Sequence, residues 1–188
     1  MSSKETLILE SALELFFKFG YQKTNIDQIA KHAGIGKGTI YNYYKNKEIL
    51  FKAVADKHKL CTDEETKEAV KKIEGARNKL IRRAQLQVLS FRQIFKKYAM
   101  TMEIFEELSG VMLDDEPFIY RINKETAEIL ELGEKEGTFR SGDHMESAKQ
   151  IFDIFIRFFP SWIQFTDEKV CEDIEKLYNF IIDGISVQ

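Results

Sequence analysis

The 188-residue chain is poor in the residues that punctuate β structure: it has two prolines, ten glycines and no Asn-Gly or Gly-Asn pair. An all-β sandwich or barrel needs many such turn signals, so it is excluded. Collagen-like and low-complexity classes fall on the same ground. Two cysteines, Cys61 and Cys171, do not make a disulfide framework and read as reduced thiols packed as small apolar groups. Long hydrophobic runs are also missing. The most apolar stretch, Ile151 to Phe165, is interrupted by Asp153 and Arg157, whereas a membrane span needs about twenty apolar residues. The N-terminus runs straight into an amphipathic pattern carrying Glu10 and Glu14, with no secretory signal. The expectation is a cytoplasmic protein with no membrane contact.

Catalytic patterns are absent too. His32, His58 and His144 are scattered, with no Cys or His at ligand spacing. Gly36-x-Gly38 lacks a third glycine and a preceding strand, and no nucleophilic serine motif occurs. The chain is therefore expected to be no enzyme, to hold no metal and to need no cofactor.

What is present is a globular composition, 44% hydrophobic and 31% charged. The net charge of −3 is unevenly spread. Residues 1–60 hold ten lysines and no arginine against six acids, a balance of +4, and the remainder carries −7. A basic part on an otherwise acidic chain points to a polyanionic partner.

Helical periodicity runs almost throughout. Ile8, Ala12, Leu15, Phe16 and Phe19 share one face and predict a helix over residues 3–19, closed by Gly20. A second helix is expected from Thr24, with Thr24 as cap and Asp27 as capping-box partner, ending at Gly34. A third runs over about 37–44 with Ile40 and Tyr44 inward. Two short helices around a glycine turn make a helix-turn-helix. Asn46 caps a fourth, carried to residue 59 or beyond. Beyond it the pattern predicts helices over about 76–97, 98–108, 118–132 and 167–185, with breaks at Ser109-Gly110, at Asp114-Asp115-Glu116-Pro117 and at Gly133, and a loop at 137–143. Another covers about 144–165, with a kink or break near Phe159 imposed by Pro160. The fold class is all-α, with a head over residues 1–47 and a helical body over 48–188.

The segment from Ile35 to Glu48 reads as nucleic-acid chemistry. Gly36 and Gly38 let the backbone approach a phosphate closely, and the start of the third helix offers free N–H groups. Lys37 reaches a guanine edge or a phosphate, and Asn42 can donate to and accept from a base edge. Tyr41 and Tyr43 donate to phosphate oxygens, Thr39 lies on an outward face, and Lys47 is set for the backbone.

Residues 4–51 resemble the N-terminal domain of the TetR family of transcriptional regulators. The likeness rests on Gly20-Tyr21, on Thr24-Asn25-Ile26-Asp27-Gln28-Ile29-Ala30, and on the run Ala33-Gly34-Ile35-Gly36-Lys37-Gly38-Thr39-Ile40-Tyr41-Asn42-Tyr43-Tyr44-Lys45-Asn46-Lys47-Glu48. It implies a DNA-binding head on a ligand-binding, dimerising body, with Thr24, Lys37, Gly38, Tyr41, Asn42, Tyr43 and Lys47 as DNA contacts. Gly36 departs from the family's small hydroxyl residue, and Tyr44 from its usual Phe.

In the body, Phe91, Phe95, Met102, Phe105, Phe155, Phe159 and Trp162, with Arg121 as a polar anchor, are the candidate lining of a cavity for a small hydrophobic or aromatic effector. The 144–165 segment is apolar on nearly every side, which wants a second chain against it. Ile154, Phe158, Leu177, Ile181 and Ile185 are the candidate homodimer interface. The expected function is a ligand-responsive repressor that binds a palindromic double-stranded operator as a homodimer. The alternative is a ligand-blind DNA-binding protein acting in chromosome organisation.

Overall fold

A computed structural model describes residues 3–114 and 116–186, without the side chains of 58–65, 112 and 118, so Cys61 lies outside the described side chains. Nine α-helices and no strand occur among the described residues. They are α1 (Ser3–Phe19), α2 (Ile26–His32), α3 (Lys37–Tyr43), α4 (Lys47–Lys71), α5 (Ala76–Lys97), α6 (Met102–Leu113), α7 (Glu116–Lys135), α8 (His144–Ile163) and α9 (Asp167–Ile185). The chain is all-α. No described helix is long and apolar enough to cross a membrane.

The helices fall into two compact units: Met1–Cys61 with Ile94–Asp114, and Thr62–Gln93 with Asp115–Gln188. In the first, Ile8, Leu9, Ala12 and Phe16 of α1 are buried with Ile29 and Ala30 of α2, Ile40 of α3, and Leu50, Phe51 and Val54 of α4. Each large side chain so buried contributes about 1.5–3 kcal/mol. The Phe16 ring meets Phe51 edge-on at 5.2 Å. Gly20 closes α1 at φ +85°, with its N–H on Phe16 O at 2.9 Å. Glu107 of α6 accepts from the Gln22 N–H in the turn that follows.

In the second unit, Leu80, Ala84 and Val88 of α5, Ile122 and Leu130 of α7, Ile151, Phe155, Phe159 and Trp162 of α8, and Val170, Ile174 and Ile182 of α9 are buried. Arg92 is 4% exposed. Its guanidinium donates to Trp162 O, Ile163 O and the Asp167 carboxylate, capping the carbonyl end of α8.

Several expectations are corrected. Thr24 does not cap α2. Asn25 does, in a capping box with Gln28, because the Thr24 hydroxyl turns inward to Gly20 O at 2.7 Å and Leu15 O at 3.1 Å. The fourth helix, expected to reach residue 59 or beyond, ends at Lys71. Ser109-Gly110 lies inside α6 and Gly133 inside α7, since one glycine costs a helix only about 1 kcal/mol. No break occurs at Pro160: α8 runs on to Ile163, with Phe159 and Trp162 on either side of the proline buried.

Candidate nucleic-acid interface

The α2–α3 turn is set by backbone chemistry. Past the C-cap Ala33, Gly34 takes φ +66°. The Ile35 N–H reaches Ala30 O at 3.0 Å and the Gly34 N–H reaches Lys31 O at 3.3 Å. This is a Schellman closure, which needs a residue tolerant of the left-handed region at Gly34. Gly36 caps α3 in an extended conformation without any side-chain hydrogen bond, the consequence of glycine replacing a hydroxyl residue there.

Of α3, only Ile40 is buried. Tyr44 follows it inward as the C-cap, 7% exposed. Its hydroxyl donates to Glu5 Oε1 at 3.4 Å, the partner a buried phenol requires. Burial first, then the Glu5 carboxylate, pushes the Tyr44 phenol up to about 12. Anchored through these two residues, α3 presents Lys37, Gly38, Tyr41, Asn42 and Tyr43 exposed on one short helix, with Thr39 half-buried. That surface combines a cation, an amide and two phenols, the donor and acceptor set that base edges and phosphates take.

Two of the expected contact residues have other engagements. Thr24 is 1% exposed, with its hydroxyl spent on carbonyls of the α1–α2 segment. Lys47 donates to Tyr21 O at 2.8 Å and Thr24 O at 3.0 Å, leaving one N–H for anything else. An ion pair that the sequence did not announce lies across the turn: Lys37 Nζ donates to Asp27 Oδ2 at 2.8 Å. The hydrogen bond to Asp27 holds the Lys37 ammonium above the usual lysine range. The partners are ten residues apart on different helices, a spacing that no periodicity reports.

The expected effector residues are divided. Phe95, Met102 and Phe105 belong to the first unit, and Phe91, Arg121, Phe155, Phe159 and Trp162 to the second. In the second unit Phe159 meets Phe91 at 5.2 Å and Phe155 at 5.7 Å, and Phe155 meets Trp162 at 5.5 Å. The first unit also has an open groove of about 750 Å³ floored by Leu9, Leu13, Val54 and Tyr98, and none of the expected effector residues lines it. Of the expected interface residues, Ile154 and Phe158 are exposed, and Leu177, Ile181 and Ile185 are half-buried. Phe180, at 80% exposed the barest large apolar side chain described, was not among them. No described group of His, Cys, Asp and Glu could hold a metal ion.

Residues 8–54 match the family model described as bacterial regulatory proteins, tetR family. An uncharacterized HTH-type transcriptional regulator of Bacillus subtilis, YhgD, is 37% identical over 108 residues, 55% of this chain and 52% of that protein. The chain thus spans about half the length of that curated relative. Among solved structures, a TetR-family transcriptional regulator from Syntrophomonas wolfei aligns with TM-score 0.77 at 22% identity, covering 96% of this chain and 95% of that one. The FadR regulator of Bacillus subtilis, solved with stearoyl-CoA, aligns with TM-score 0.67 at 20% identity, covering 96% and 98%. These relatives are regulators and not enzymes. The tetR-family model thus spans the three helices of the head, and the all-helical fold is shared over nearly the whole chain with solved transcriptional regulators.

Proposed function

We propose that this chain is a DNA-binding transcriptional regulator that represses from a palindromic operator as a homodimer. Residues 1–47 form the reading head and 48–188 the ligand-binding, dimerising body. The observation that carries the reading is α3, tethered inward by Ile40 and Tyr44 while Lys37, Gly38, Tyr41, Asn42 and Tyr43 stay exposed. A two-fold dimer presents two such helices, so its site has two similar half-sites about one helical turn, roughly 34 Å, apart.

The effector is an amphipathic molecule with a long apolar chain. Two things support this. A structural neighbour was solved with stearoyl-CoA, and the second unit concentrates Phe91, Phe155, Phe159 and Trp162, a surface such a chain can wet. The contact of those rings with one another favours a second reading, a ligand-blind DNA-binding protein of chromosome organisation, since a guest must first part them.

Selection of duplexes from a random pool, followed by anisotropy titration of the recovered sequence, tests the head. A recovered sequence with two-fold symmetry is expected, and retention of no sequence at all sinks the proposal. Thermal shift with stearoyl-CoA, stearate and short-chain acids tests the body. Stabilisation by the long-chain compounds, with release of the duplex, is expected. No shift from any of them leaves the ligand-blind reading in its place.

A further inference from the structure

We propose that Asp27 reads DNA together with Lys37, the ion pair recognising a single G·C base pair in each half-site; the proposal rests on the head being a sequence-reading DNA-binding module. Asp27 is not needed to start its own helix, because Asn25 and Gln28 form the α2 capping box between them. Its carboxylate is 67% exposed, and the Lys37 side chain 47%. One oxygen, Oδ2, accepts from Lys37 Nζ at 2.8 Å, and the other has no partner among the described residues. The Lys37 ammonium also lies 6.0 Å from the Tyr41 ring centroid, so two contacts hold it at one place above α3.

An acid on a lysine-rich surface facing phosphates lowers affinity for every duplex alike. What it adds is pattern. The pair sets a cationic donor beside a free anionic acceptor, one hydrogen bond apart. In the major groove a G·C pair sets the guanine O6 and N7 acceptors beside the cytosine N4 donor. Lysine is suited to the first and aspartate to the second. The two side chains therefore match one base pair as a unit, which neither does alone.

The test uses the full-length chain. Wild type, Asp27→Ala, Asp27→Asn and Lys37→Ala are each selected against a random duplex pool and then titrated on the wild-type sequence and on a scrambled duplex. Wild type should recover a G·C pair at one position per half-site, and Asp27→Ala and Lys37→Ala should erase preference at that same position. Asp27→Ala should bind the wild-type sequence about tenfold more weakly, a loss typical of one base contact, and the scrambled duplex more tightly. Asp27→Asn keeps the shape and should move that position towards A·T, because asparagine suits adenine N6 and N7. Asp27→Ala binding both duplexes more tightly with unchanged preference overturns the proposal. So do erasure of different positions by the two alanine variants and retention of G·C by Asp27→Asn. Wild type that retains no sequence overturns the underlying reading, and the proposal with it.

Discussion

The Lys47 ammonium lies 4.3 Å from the centroid of the Tyr21 ring and donates to that residue's own carbonyl at 2.8 Å. With its second bond, to Thr24 O, it ties the first turn of α4 to the segment joining α1 and α2. A residue expected to hold DNA backbone is thus first a brace of the head. Lys47→Ala should destabilise the protein by about 1–2 kcal/mol, the cost of removing a charged donor from partly buried carbonyls. It should also weaken binding to specific and scrambled duplexes alike. Urea unfolding and duplex titration measure the two effects. A variant with wild-type stability and a reduced salt slope of binding would make Lys47 a phosphate contact alone.

Asn42 and Tyr43 separate base reading from positioning on the same exposed helix. Asn42→Ala should lose about 1–3 kcal/mol of base discrimination while retaining scrambled-sequence affinity. Tyr43→Ala should weaken all duplexes together, since a phenol on phosphate carries no sequence information. Titration on both duplex types distinguishes them. An Asn42→Ala protein with unchanged affinity and preference would mean that α3 does not enter the groove.

Much of the head was legible because short-range rules govern it. The inward turn of Ile40 and Tyr44 follows from their spacing of four, and the glycine closures at Gly20 and Gly34 from the positive φ those turns need. What stayed hidden depends on side chains meeting across the fold. Thr24 and Asp27 read as the capping pair, and the pairing of Asn25 with Gln28 in their place was settled by Thr24 finding Gly20 O and Leu15 O in three dimensions. The burial of Arg92 against the end of α8 is of the same kind. Gly110, Gly133 and Pro160 read as breaks because local propensity penalises them, while tertiary packing carries the helices through.

Two of those helical glycines should respond oppositely to alanine. A Cβ on Gly110 meets nothing within 4 Å, so Gly110→Ala should stabilise by up to about 1 kcal/mol through helix propensity. A Cβ on Gly133 would lie 2.1 Å from Phe139 Cδ2. Phe139 is 2% exposed, so Gly133→Ala should cost about 1–3 kcal/mol net, as overpacking does. Thermal unfolding of the two variants checks the signs, and stabilisation by Gly133→Ala would show the ring free to move.

Tyr44 makes the stability of the head sensitive to alkali. An unfolded chain's phenol titrates near its ordinary value of 10.0, and the folded one at about 12. Folding therefore favours the neutral phenol. That stabilisation is whole below pH 10 and is lost as the pH rises towards 12. The buried Tyr178 phenol, also raised, adds a second loss in the same direction. Tyr44→Phe should flatten the fall in melting temperature across this window without abolishing it. An unchanged fall would place the alkaline sensitivity elsewhere.

Ile154 and Phe158 are 36% and 46% exposed on α8, and Phe180 is 80% exposed on α9. In an isolated chain, Phe180→Glu removes almost no packing and should change stability by less than about 0.5 kcal/mol, as ordinary surface substitutions do. In a dimer that covers these side chains, the same carboxylate is buried without a partner and costs several kcal/mol of association. The two situations thus differ in sign of detection: one gives a silent variant, the other a dissociated one. Sedimentation of the wild type at micromolar concentration should give a dimer, and Phe180→Glu and Phe158→Glu a monomer. DNA affinity should fall in both variants although the head is untouched, because two half-sites are no longer held together. Phe158 also stacks on Trp162 at 6.2 Å, so its variant carries some loss within the chain, and Phe180→Glu is the cleaner probe. A wild type that sediments as a monomer, or a Phe180→Glu dimer of unchanged affinity for itself and for the duplex, would remove α9 from the interface.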